Sequence, residues 1–469
     1  MKCVIIGAGP SGLSAGYRLA MRGHEVTIFE KQSMHGGLAK TIWDGNFGFD
    51  MGPHHFHTTH SDILDGVTNL LGNKFETVPI SSQIYFRNQW VNYPFTLKNM
   101  LSAISPAMAI KCSADFIGAR TLKRQKAGAN LSFEDWVVRR YGRSLFNLYF
   151  GPYAQKVWGV KASELSAEVG EERVPYRGVA SVLLNLLGLS KTGHPEDPRA
   201  LESYYPRQGI GMLCDALRTQ LENLGGIVIT NSRVKSIKAT GKNINSLSII
   251  TNGTGPKEEK CDALIWSGPI DELLELTSEH VGQIKIGTKQ ELSYRSQRQL
   301  YIKLLGRGFL PTPYVYFSSP RIPFTRIYET TQMSENMAPL NMSGLVVEFN
   351  LDDEDKLWNC SFDKFKQATL EQLKRIGLIK EKQILDCFDI KIDRAYPVYG
   401  INWKNARKEA IERISTLKNL IPIGRQGMFS YANIDHAMKM GIDAAETIEH
   451  GNLNEVSSLL EVYLCNNHI

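Results

Sequence analysis

The chain has 469 residues, of which 42% are hydrophobic and 22% are charged, proportions typical of a folded globular protein. Its length exceeds the size at which one hydrophobic core keeps growing, so we expect at least two packed units. Lys and Arg outnumber Asp and Glu by 54 to 48, and this small excess without a basic block argues against nucleic-acid binding.

The cysteines and the apolar runs indicate the compartment. Seven cysteines lie far apart with no CxxC pair, which argues against a disulfide framework and favours a reducing environment. No apolar run approaches the length of about 20 residues that spans a bilayer, and the N-terminus does not resemble a signal peptide. We therefore expect a cytoplasmic protein without a transmembrane segment.

The chain opens with the pattern of a dinucleotide-binding unit. Residues 4–6 form a β-branched run that predicts a buried parallel strand, and the turn GAGPSG follows at 7–12. Helical spacing over 13–21 and a second apolar run at 26–29 lead to Glu30. A glycine-rich turn of some other α/β protein is the alternative, but strand, turn, helix, strand and acid in this order favour a dinucleotide.

The residue types in this turn match the chemistry of a pyrophosphate site. Gly7 allows the tight turn, Gly9 lets the backbone approach a pyrophosphate, and Gly12 lets helix and strand pack closely. The helix N-terminus supplies free N–H groups for the phosphates. Glu30, 18 residues after Gly12, suits ribose hydroxyls and argues against a 2′-phosphate. We predict cofactor contacts here at Gly7, Gly9, Pro10, Ser11, Gly12, Glu30 and Lys31.

Two further glycine turns favour FAD over NAD. Gly36 and Gly37 follow the second strand, an arrangement that resembles the FAD-dependent amine oxidase and desaturase superfamily. Near the other end, a strand at 420–423 leads into the turn GRQG at 424–427 and a helix over 436–450. An unrelated strand–turn–helix unit is the alternative for this late segment. The resemblance implies further FAD contacts at Gly37, Leu38, Gly52, His54, Val234, Gly424, Arg425, Asn433, Ile434 and Asp435.

The remaining elements predict an α/β fold in which a Rossmann-type (GR2-like) FAD-binding domain is discontinuous in sequence and carries a helical subdomain and a mixed antiparallel-sheet substrate domain. Periodicity predicts helices at 211–224, 362–376 and within 96–200, and strands at 227–230, 234–237, 263–266, 301–304, 314–317 and 345–348. The predicted divisions are the FAD-binding domain at 1–80, 206–290 and 396–469, a mainly helical substrate or lid region at 81–205, and a substrate-side sheet region at 291–395.

Short segments along the chain resemble motifs of UDP-galactopyranose mutases, in that family's order. GPHHFHT at 52–58 is similar to the family's GPHxFHT loop, and YAQKVWG at 153–159 resembles GYxxKQWG with Val157 in place of the Gln. The segment at 424–435 is similar to the family's GRxGxYxYxNxD, with Phe429 in place of the first Tyr. Protoporphyrinogen oxidases share several motifs in part. Further similar segments lie at 92–95, 173–177, 205–209, 292–296 and 395–398, and extra material lies near 98–130, 180–203 and 352–385.

The resemblance implies an FAD-dependent nucleotide-sugar mutase of polysaccharide biosynthesis. Such an enzyme interconverts pyranose and furanose forms of a sugar with reduced flavin as the nucleophile. The expected substrate is a nucleotide-sugar, UDP-linked in that family, and NAD(P)H or another reductant is the expected electron source. The sequence leaves the sugar and the oligomeric state open.

Arginines and aromatic residues of these motifs are the candidate substrate ligands. Binding of a diphosphate needs positively charged groups in fixed positions, and the planar guanidinium of Arg donates two hydrogen bonds at once. We therefore predict Arg177 and Arg295 as catalytic residues. The alternative is a salt bridge, which is the commoner role of a single Arg. The predicted lid covers 175–206. Tyr153 and Trp158 fit two roles, stacking on a uracil or packing in the hydrophobic core. The predicted substrate contacts are Tyr153, Trp158, Tyr205, Tyr396 and Asn92.

The histidine-rich loop leaves two interpretations. His54, His55 and His57 could hold a metal, but no partner carboxylate lies nearby in sequence and the family uses none, so we predict no metal site. We instead expect the loop to pack against the isoalloxazine, with His55 as a catalytic residue. For the whole chain, an oxidase or desaturase of the amine oxidase or protoporphyrinogen oxidase type and a non-catalytic flavoprotein remain the alternatives.

Overall fold

The structure is a computed structural model that describes residues 1–78, 81–93, 104–121, 131–173, 203–282, 291–450 and 456–465. Within these ranges the strands are β1 (Lys2–Ile6), β2 (Glu25–Phe29), β3 (Thr41–Asp44), β4 (Phe47–Asp50), β5 (Phe75–Val78), β6 (Ser82–Phe86), β7 (Gln89–Tyr93), β8 (Ser203–Pro206), β9 (Ile227–Ile229), β10 (Ser232–Thr240), β11 (Asn243–Thr251), β12 (Lys257–Lys260), β13 (Ala263–Trp266), β14 (Tyr294–Leu305), β15 (Tyr314–Phe317), β16 (Arg326–Glu329), β17 (Met342–Leu351), β18 (Ile384–Pro397) and β19 (Leu420–Pro422).

The longer helices in the same ranges are α1 (Pro10–Met21), α2 (Ser61–Leu71), α3 (Pro106–Thr121), α4 (Phe133–Tyr141), α5 (Gly151–Trp158), α6 (Glu168–Arg173), α7 (Gly211–Asn223), α8 (Ile270–Leu276), α9 (Phe362–Arg375), α10 (Trp403–Ile414), α11 (Ile434–Glu449) and α12 (Val456–Cys465). Short helical turns lie at Gly37–Ala39, Gly72–Lys74, Arg143–Leu145, Phe146–Phe150, Ser278–Val281, Thr330–Met333, Glu335–Met337, Lys356–Asn359, Glu381–Gln383 and Gly424–Gly427.

Five of the described strands form a parallel sheet in the order β19-β13-β1-β2-β9. β1 lies in its middle, with Val4 opposite both Thr27 of β2 and Leu264 of β13. β13 is buried throughout and β1 at its centre, as expected for parallel strands that are covered on both faces. The α/β nucleotide fold is thereby confirmed, and the predicted strands that enter this sheet are 4–6, 26–29, 227–230, 263–266 and 420–423.

The strand predicted at 234–237 belongs to a different sheet. β10, β11 and β12 pair in an antiparallel sheet of their own. Along β10, Val234 and Ile237 are buried, whereas Arg233 and Lys235 are exposed. This alternation is typical of an antiparallel sheet with one face in solvent, so the segment adds a second layer rather than a parallel strand.

A mixed sheet of seven described strands has the order β18-β14-β17-β16-β15-β6-β7. β15 and β6 run parallel, and the other neighbours are antiparallel. In the β6–β7 turn, Arg87 and Asn88 have φ of 52° and 67°, as a type I′ hairpin turn requires. Phe365 of α9 shares a buried core with Val347 of β17. The predicted elements at 301–304, 314–317, 345–348 and 362–376 are confirmed.

Helices dominate the described residues between 104 and 173. The π-helical turn Phe146–Phe150 runs directly into α5, which ends at Gly159 in a left-handed conformation with φ of 76°. π-helical turns of this kind are frequent near functional sites. The predicted lid at 175–206 lies outside the described residues except for β8. None of the helices in the described ranges has both the length and the apolar character needed to cross a membrane.

Candidate active site

Three glycine turns meet where strands of the parallel sheet end. Gly7 has φ of 97° and follows β1, and the Gly36 N–H after β2 donates to the Ala8 carbonyl at 2.7 Å. A Cβ atom on Gly424, which follows β19, would lie 2.5 Å from Ser11 Oγ. The turns approach one another because these positions lack side chains, and the carboxyl edge of such a sheet is where dinucleotides bind.

Gly9 and Gly12 are glycines for different reasons. A Cβ atom on Gly12 would lie 2.0 Å from the Gly7 carbonyl oxygen, so the fold itself requires glycine there. Gly9 is the N-cap of α1 and has φ of −81°. The atom nearest to a Cβ added at Gly9 would be Gly37 Cα, at 3.8 Å. The fold alone thus leaves room at Gly9, and that room faces the phosphate-binding end of α1.

The N-termini of two helices point toward this turn. α1 and α11 run parallel, since Arg18 pairs with Glu446 at 3.1 Å and Arg22 with Glu449 at 3.0 Å. Both helices therefore present their positive dipole ends on the same side. Asp435, in the first turn of α11, is buried, and no described residue hydrogen-bonds its Oδ1.

Glu30 occupies the position that the sequence predicts for a ribose-binding acid. Its carboxylate is buried and accepts the N–H groups of Ala8 and Gln32, both at 2.8 Å. These two bonds fix the carboxylate beside the first glycine turn. An open glycine turn, two helix N-termini and a fixed carboxylate together fit the pyrophosphate and ribose of FAD.

The other predicted cofactor residues surround this turn at different depths. Pro10 starts α1, and Ser11 is buried beneath Gly424. Leu38 packs near Met51, and Val234 is buried in β10. The side chain of Lys31 is exposed. At the start of α11, Asn433 is the N-cap and Ile434 the first helical residue.

The predicted loop at 52–58 connects the cofactor turn with the mixed sheet. A Cβ atom on Gly52 would lie 3.3 Å from both Glu348 Oε1 of β17 and His54 Cε1. His57 Nε2 lies 3.5 Å from the Asn433 side-chain amide. The loop therefore spans from the start of α11 to the polar residues of β17.

His54 and His55 of this loop are both uncharged near neutral pH. Burial lowers the pKa of His54 to about 3, with the charges of Arg425 and Arg326 adding to the effect. Burial likewise lowers the pKa of His55 to about 4. No described residue hydrogen-bonds either ring nitrogen of His55, whose ring lies 5.8 Å from that of Tyr314. Among the described residues, no three His, Cys, Asp or Glu side chains gather as metal ligands.

A cleft that is open to solvent lies between α5 and the mixed sheet. α5 contributes Tyr153, Val157 and Trp158 to its wall. Tyr396, also predicted from the sequence, lines the cleft from β18. Three of the predicted substrate residues, Tyr153, Trp158 and Tyr396, are thus brought together although they come from distant parts of the chain.

Arg326, which is not among the predicted site residues, lines this cleft with its guanidinium. Its Nε and Nη2 donate to the two carboxylate oxygens of Glu348, at 2.7 and 3.0 Å. Glu348 is 1% exposed, whereas Arg326 keeps a 20% exposed side chain. Arg326 is the first residue of the short strand RIYE, but this position does not reveal its partner.

Aromatic rings form the opposite side of the cleft. Tyr396 stacks on Tyr431 with centroids 5.4 Å apart and an interplanar angle of 4°, and Trp158 meets Tyr431 edge-on at 6.1 Å. The Arg425 guanidinium lies over the rings of Tyr396 and Tyr431, at 5.5 and 5.0 Å. Flat rings and phenolic hydroxyls beside a guanidinium suit a ligand that has both a base and phosphate groups.

Several predicted residues lie outside the lining of this cleft. Tyr205 is 1% exposed, and its hydroxyl donates to Asp50 Oδ2 at 2.6 Å, so it is part of the interior. Asn92 is exposed on the β6–β7 hairpin, where its Oδ1 accepts from Gln83 at 2.7 Å. Arg295 is buried behind the cleft rather than in its lining. Arg177 lies outside the described residues.

Asp50 is a fully buried carboxylate behind the 52–58 loop. It accepts hydrogen bonds from the hydroxyls of Thr41 and Tyr205, both at 2.6 Å, and from the Ile210 N–H at 3.2 Å. Burial raises the pKa of Asp50 to about 6, and the three hydrogen bonds oppose that rise. Asp50 thereby connects its own strand with the segments that contain Thr41, Tyr205 and Ile210, directly before the 52–58 loop.

We expect Asp50 to make stability depend on pH. Its pKa in the folded protein, about 6, exceeds the usual 3.8, so the folded state holds the proton more tightly than the unfolded chain. The stability of the protein relative to an Asp50→Asn variant should fall between about pH 4 and pH 6, by on the order of 3 kcal/mol, and then stay constant. Thermal unfolding of both proteins across this range measures the difference, and a constant difference would contradict the assignment.

Comparison with known proteins establishes the family. The profile of one family, described as flavin containing amine oxidoreductase, matches residues 10–389. The chain belongs to this family. Family membership implies that the protein binds FAD. The predicted place within the FAD-dependent amine oxidase superfamily is thereby confirmed.

The curated relatives that the chain resembles carry the names of different enzymes. A probable UDP-galactopyranose mutase of Klebsiella pneumoniae is 30% identical over 182 residues, which are 37% of this chain and 45% of that protein. A 4,4'-diapophytoene desaturase (4,4'-diaponeurosporene-forming) of Staphylococcus aureus (strain MRSA252) is 36% identical over 116 residues, or 23% of each chain. The chain thus spans less than half the length of these curated relatives.

Solved structures of the same fold cover nearly the whole chain. The crystal structure of a reduced UDP-galactopyranose mutase matches with a TM-score of 0.82 at 22% identity, covering 97% of this chain and 98% of that one. A putrescine oxidase bound to putrescine matches with a TM-score of 0.60 at 15% identity, covering 96% and 99%. At these identities the likeness is one of fold, and it confirms the predicted fold class.

Proposed function

We propose that this flavin-containing amine oxidoreductase family member is an FAD-dependent nucleotide-sugar mutase. Its substrate is a UDP-linked sugar, which it interconverts between pyranose and furanose forms without net oxidation. The similarity to mutases in sequence and fold supports this proposal, and so do the motifs that the sequence shares with that family.

The observation that carries the proposal is the chemistry of the cleft. Arg326 and the buried Glu348 form an ion pair in its lining, which also contains the phenols of Tyr316, Tyr396 and Tyr431. A cleft for an amine or a lipid needs no such set of hydrogen-bond donors. Guanidinium and phenol groups donate hydrogen bonds to phosphate oxygens, so this lining suits a diphosphate.

The residues of this chain have distinct tasks in the proposed reaction. FAD in its reduced form supplies the nucleophile for the anomeric carbon when bound, and a reductant such as NAD(P)H keeps it reduced. Arg326, whose Nε and Nη2 donate to Glu348, donates from Nη1 to the diphosphate as UDP departs. Tyr153 and Trp158 of α5 pack against the base and the sugar. His54 and His55 stay uncharged and exclude water beside the cofactor.

Turnover of a nucleotide-sugar by reduced protein tests the proposal. The purified protein is reduced with dithionite and incubated with UDP-galactopyranose and a panel of other UDP-linked pyranoses, and ring-contracted products are separated by chromatography. Product should form with reduced protein and not with oxidised protein. Absence of any furanose product, together with oxygen consumption on an amine or a polyene, would instead identify an oxidase or desaturase.

A flavin-dependent oxidase or desaturase is the second candidate function. It is favoured by the similarity to the diapophytoene desaturase, and the FAD site serves either chemistry equally. UDP distinguishes the two, because only a nucleotide-sugar enzyme should bind it. A change in the flavin absorbance spectrum on adding UDP supports the mutase.

A further inference from the structure

Behind the cleft, Arg295 forms a network that the proposed chemistry does not use. The side chain is 5% exposed, and its Nη2 donates to the Asn350 carbonyl at 2.8 Å. Its Nη1 pairs with the carboxylate of Asp352. Asp352 directly follows β17 and is the first residue of the acidic turn 352–355, which lies within the extra material near 352–385.

This network contacts the C-terminal end of α5. Gly159 ends the helix with φ of 76°, and a Cβ atom on it would lie 2.4 Å from Arg295 Nη1 and 2.9 Å from Asp352 Oδ2. The guanidinium therefore lies directly against the last turn of the helix. A cation there is stabilised by the negative end of the helix dipole and by the free carbonyl groups.

Asn350 connects the same helix end to the sheet. Its Nδ2 donates to the Val157 carbonyl at 2.9 Å, and its Oδ1 accepts from Gln297 Nε2 at 3.2 Å. Val157 and Trp158, the last residues of α5, line the cleft on the other side. The last turn of α5 is thus held by Arg295 from behind and by Asn350, which itself lines the cleft.

Asp352 keeps this arrangement electrically balanced. Arg295 is a buried cation, and leaving such a cation without its counter-charge is costly. The Asp352 carboxylate is 53% exposed, and the turn that carries it is held by the Asp352 N–H donating to Asp355 Oδ2 at 2.7 Å. Substitution of the Asp352 side chain therefore leaves the hydrogen bonds of its own turn in place.

We propose that Asp352, acting through Arg295, is a positioning residue that fixes the last turn of α5 and so the place of Val157 and Trp158 in the cleft. The proposal deepens the mutase function proposed above, since it concerns the same cleft. It assigns the extra segment of this chain a role in how tightly the cleft holds its ligand.

Hydrogen–deuterium exchange of the FAD-loaded protein tests the inference without requiring a substrate. In an Asp352→Asn variant, the backbone amides of 151–159 should exchange about fivefold faster. This factor corresponds to the largest stabilisation that a half-exposed ion pair usually provides. Peptides of α9, which follows the same turn, should be unchanged, because a general loss of stability would affect both. Asp353→Asn, in the same turn, is the matched control, and Asp352→Glu should restore the wild-type rate.

Binding of UDP to the same three variants provides a second measurement. We expect about fivefold weaker binding by Asp352→Asn, an unchanged flavin spectrum, and wild-type affinity in the other two variants. Unchanged exchange at 151–159 in Asp352→Asn overturns the inference. If the wild-type protein does not bind UDP, the proposed function fails, and the exchange measurement still decides the role of Asp352.

Discussion

Replacing Gly9 by valine is expected to weaken flavin binding by about 100-fold while the protein stays folded. Gly9 has an extended backbone that any residue adopts, and the protein itself leaves room for a side chain there. A Val side chain would instead fill the space that a pyrophosphate needs at the N-terminus of α1. Crowding of this kind costs about 3 kcal/mol, so flavin affinity should fall by about 100-fold.

The flavin-to-protein ratio after purification and the melting temperature of the flavin-free protein measure the two parts of this prediction. Gly66→Val provides a matched control, because Gly66 is exposed in α2 and an added Cβ meets nothing within 4 Å. Gly12→Val should by contrast lower the melting temperature of the flavin-free protein, since its Cβ would overlap the Gly7 carbonyl. A Gly9→Val protein with a full complement of flavin would remove this turn from the cofactor site.

The cofactor site could be predicted because its parts are local in sequence. Strand, turn, helix and acid follow one another within the first 30 residues, and each residue type has a conformational reason. The turn at 424–427 could also be predicted as part of the cofactor site, because UDP-galactopyranose mutases have a similar motif. The structure then shows contacts that no local pattern contains, such as Gly36 against Ala8 and Gly424 over Ser11.

The arginine of the cleft could not be chosen from sequence because its position depends on strand order. Arg326 and Glu348 are directly opposite on β16 and β17, a pairing between strands separated by 12 residues of chain. Arg295 lies in a segment that resembles a family motif, which favoured it over Arg326 as a predicted ligand. However, the pairing of β14 with β18 shifts register between Arg295 and Gln297. Alternation along β14 therefore does not tell which of its side chains reach the cleft.

Tyr205 shows a different limit of sequence analysis. A tyrosine between Tyr204 and Pro206, close to a glycine turn, looks like a ligand-binding residue. In the structure its hydroxyl is one of the donors to Asp50, a carboxylate 155 positions earlier in the chain. Phenols serve buried carboxylates as readily as phosphates, because both are hydrogen-bond acceptors. Only the three-dimensional neighbours distinguish the two roles.

Replacing Arg326 by methionine should reduce turnover of the nucleotide-sugar by at least about 100-fold, the usual cost of losing a donor aimed at developing charge. Arg326 is the guanidinium of the cleft lining, and its exposed part faces the space between the tyrosines. Methionine keeps most of the side-chain volume and removes the charge. Initial rates of furanose formation by the dithionite-reduced protein measure the effect, and FAD content confirms that the cofactor is retained.

A second substitution separates ligand binding from stability. Arg326→Met alone leaves the buried Glu348 carboxylate without its partner, which costs about 3–5 kcal/mol of folding stability. In the double variant with Glu348→Gln this unpaired charge is gone, so the melting temperature should recover while turnover stays low. Glu348→Gln alone keeps the guanidinium and should retain UDP binding. Recovery of turnover in the double variant would show that Arg326 stabilises the fold and does not act on the substrate.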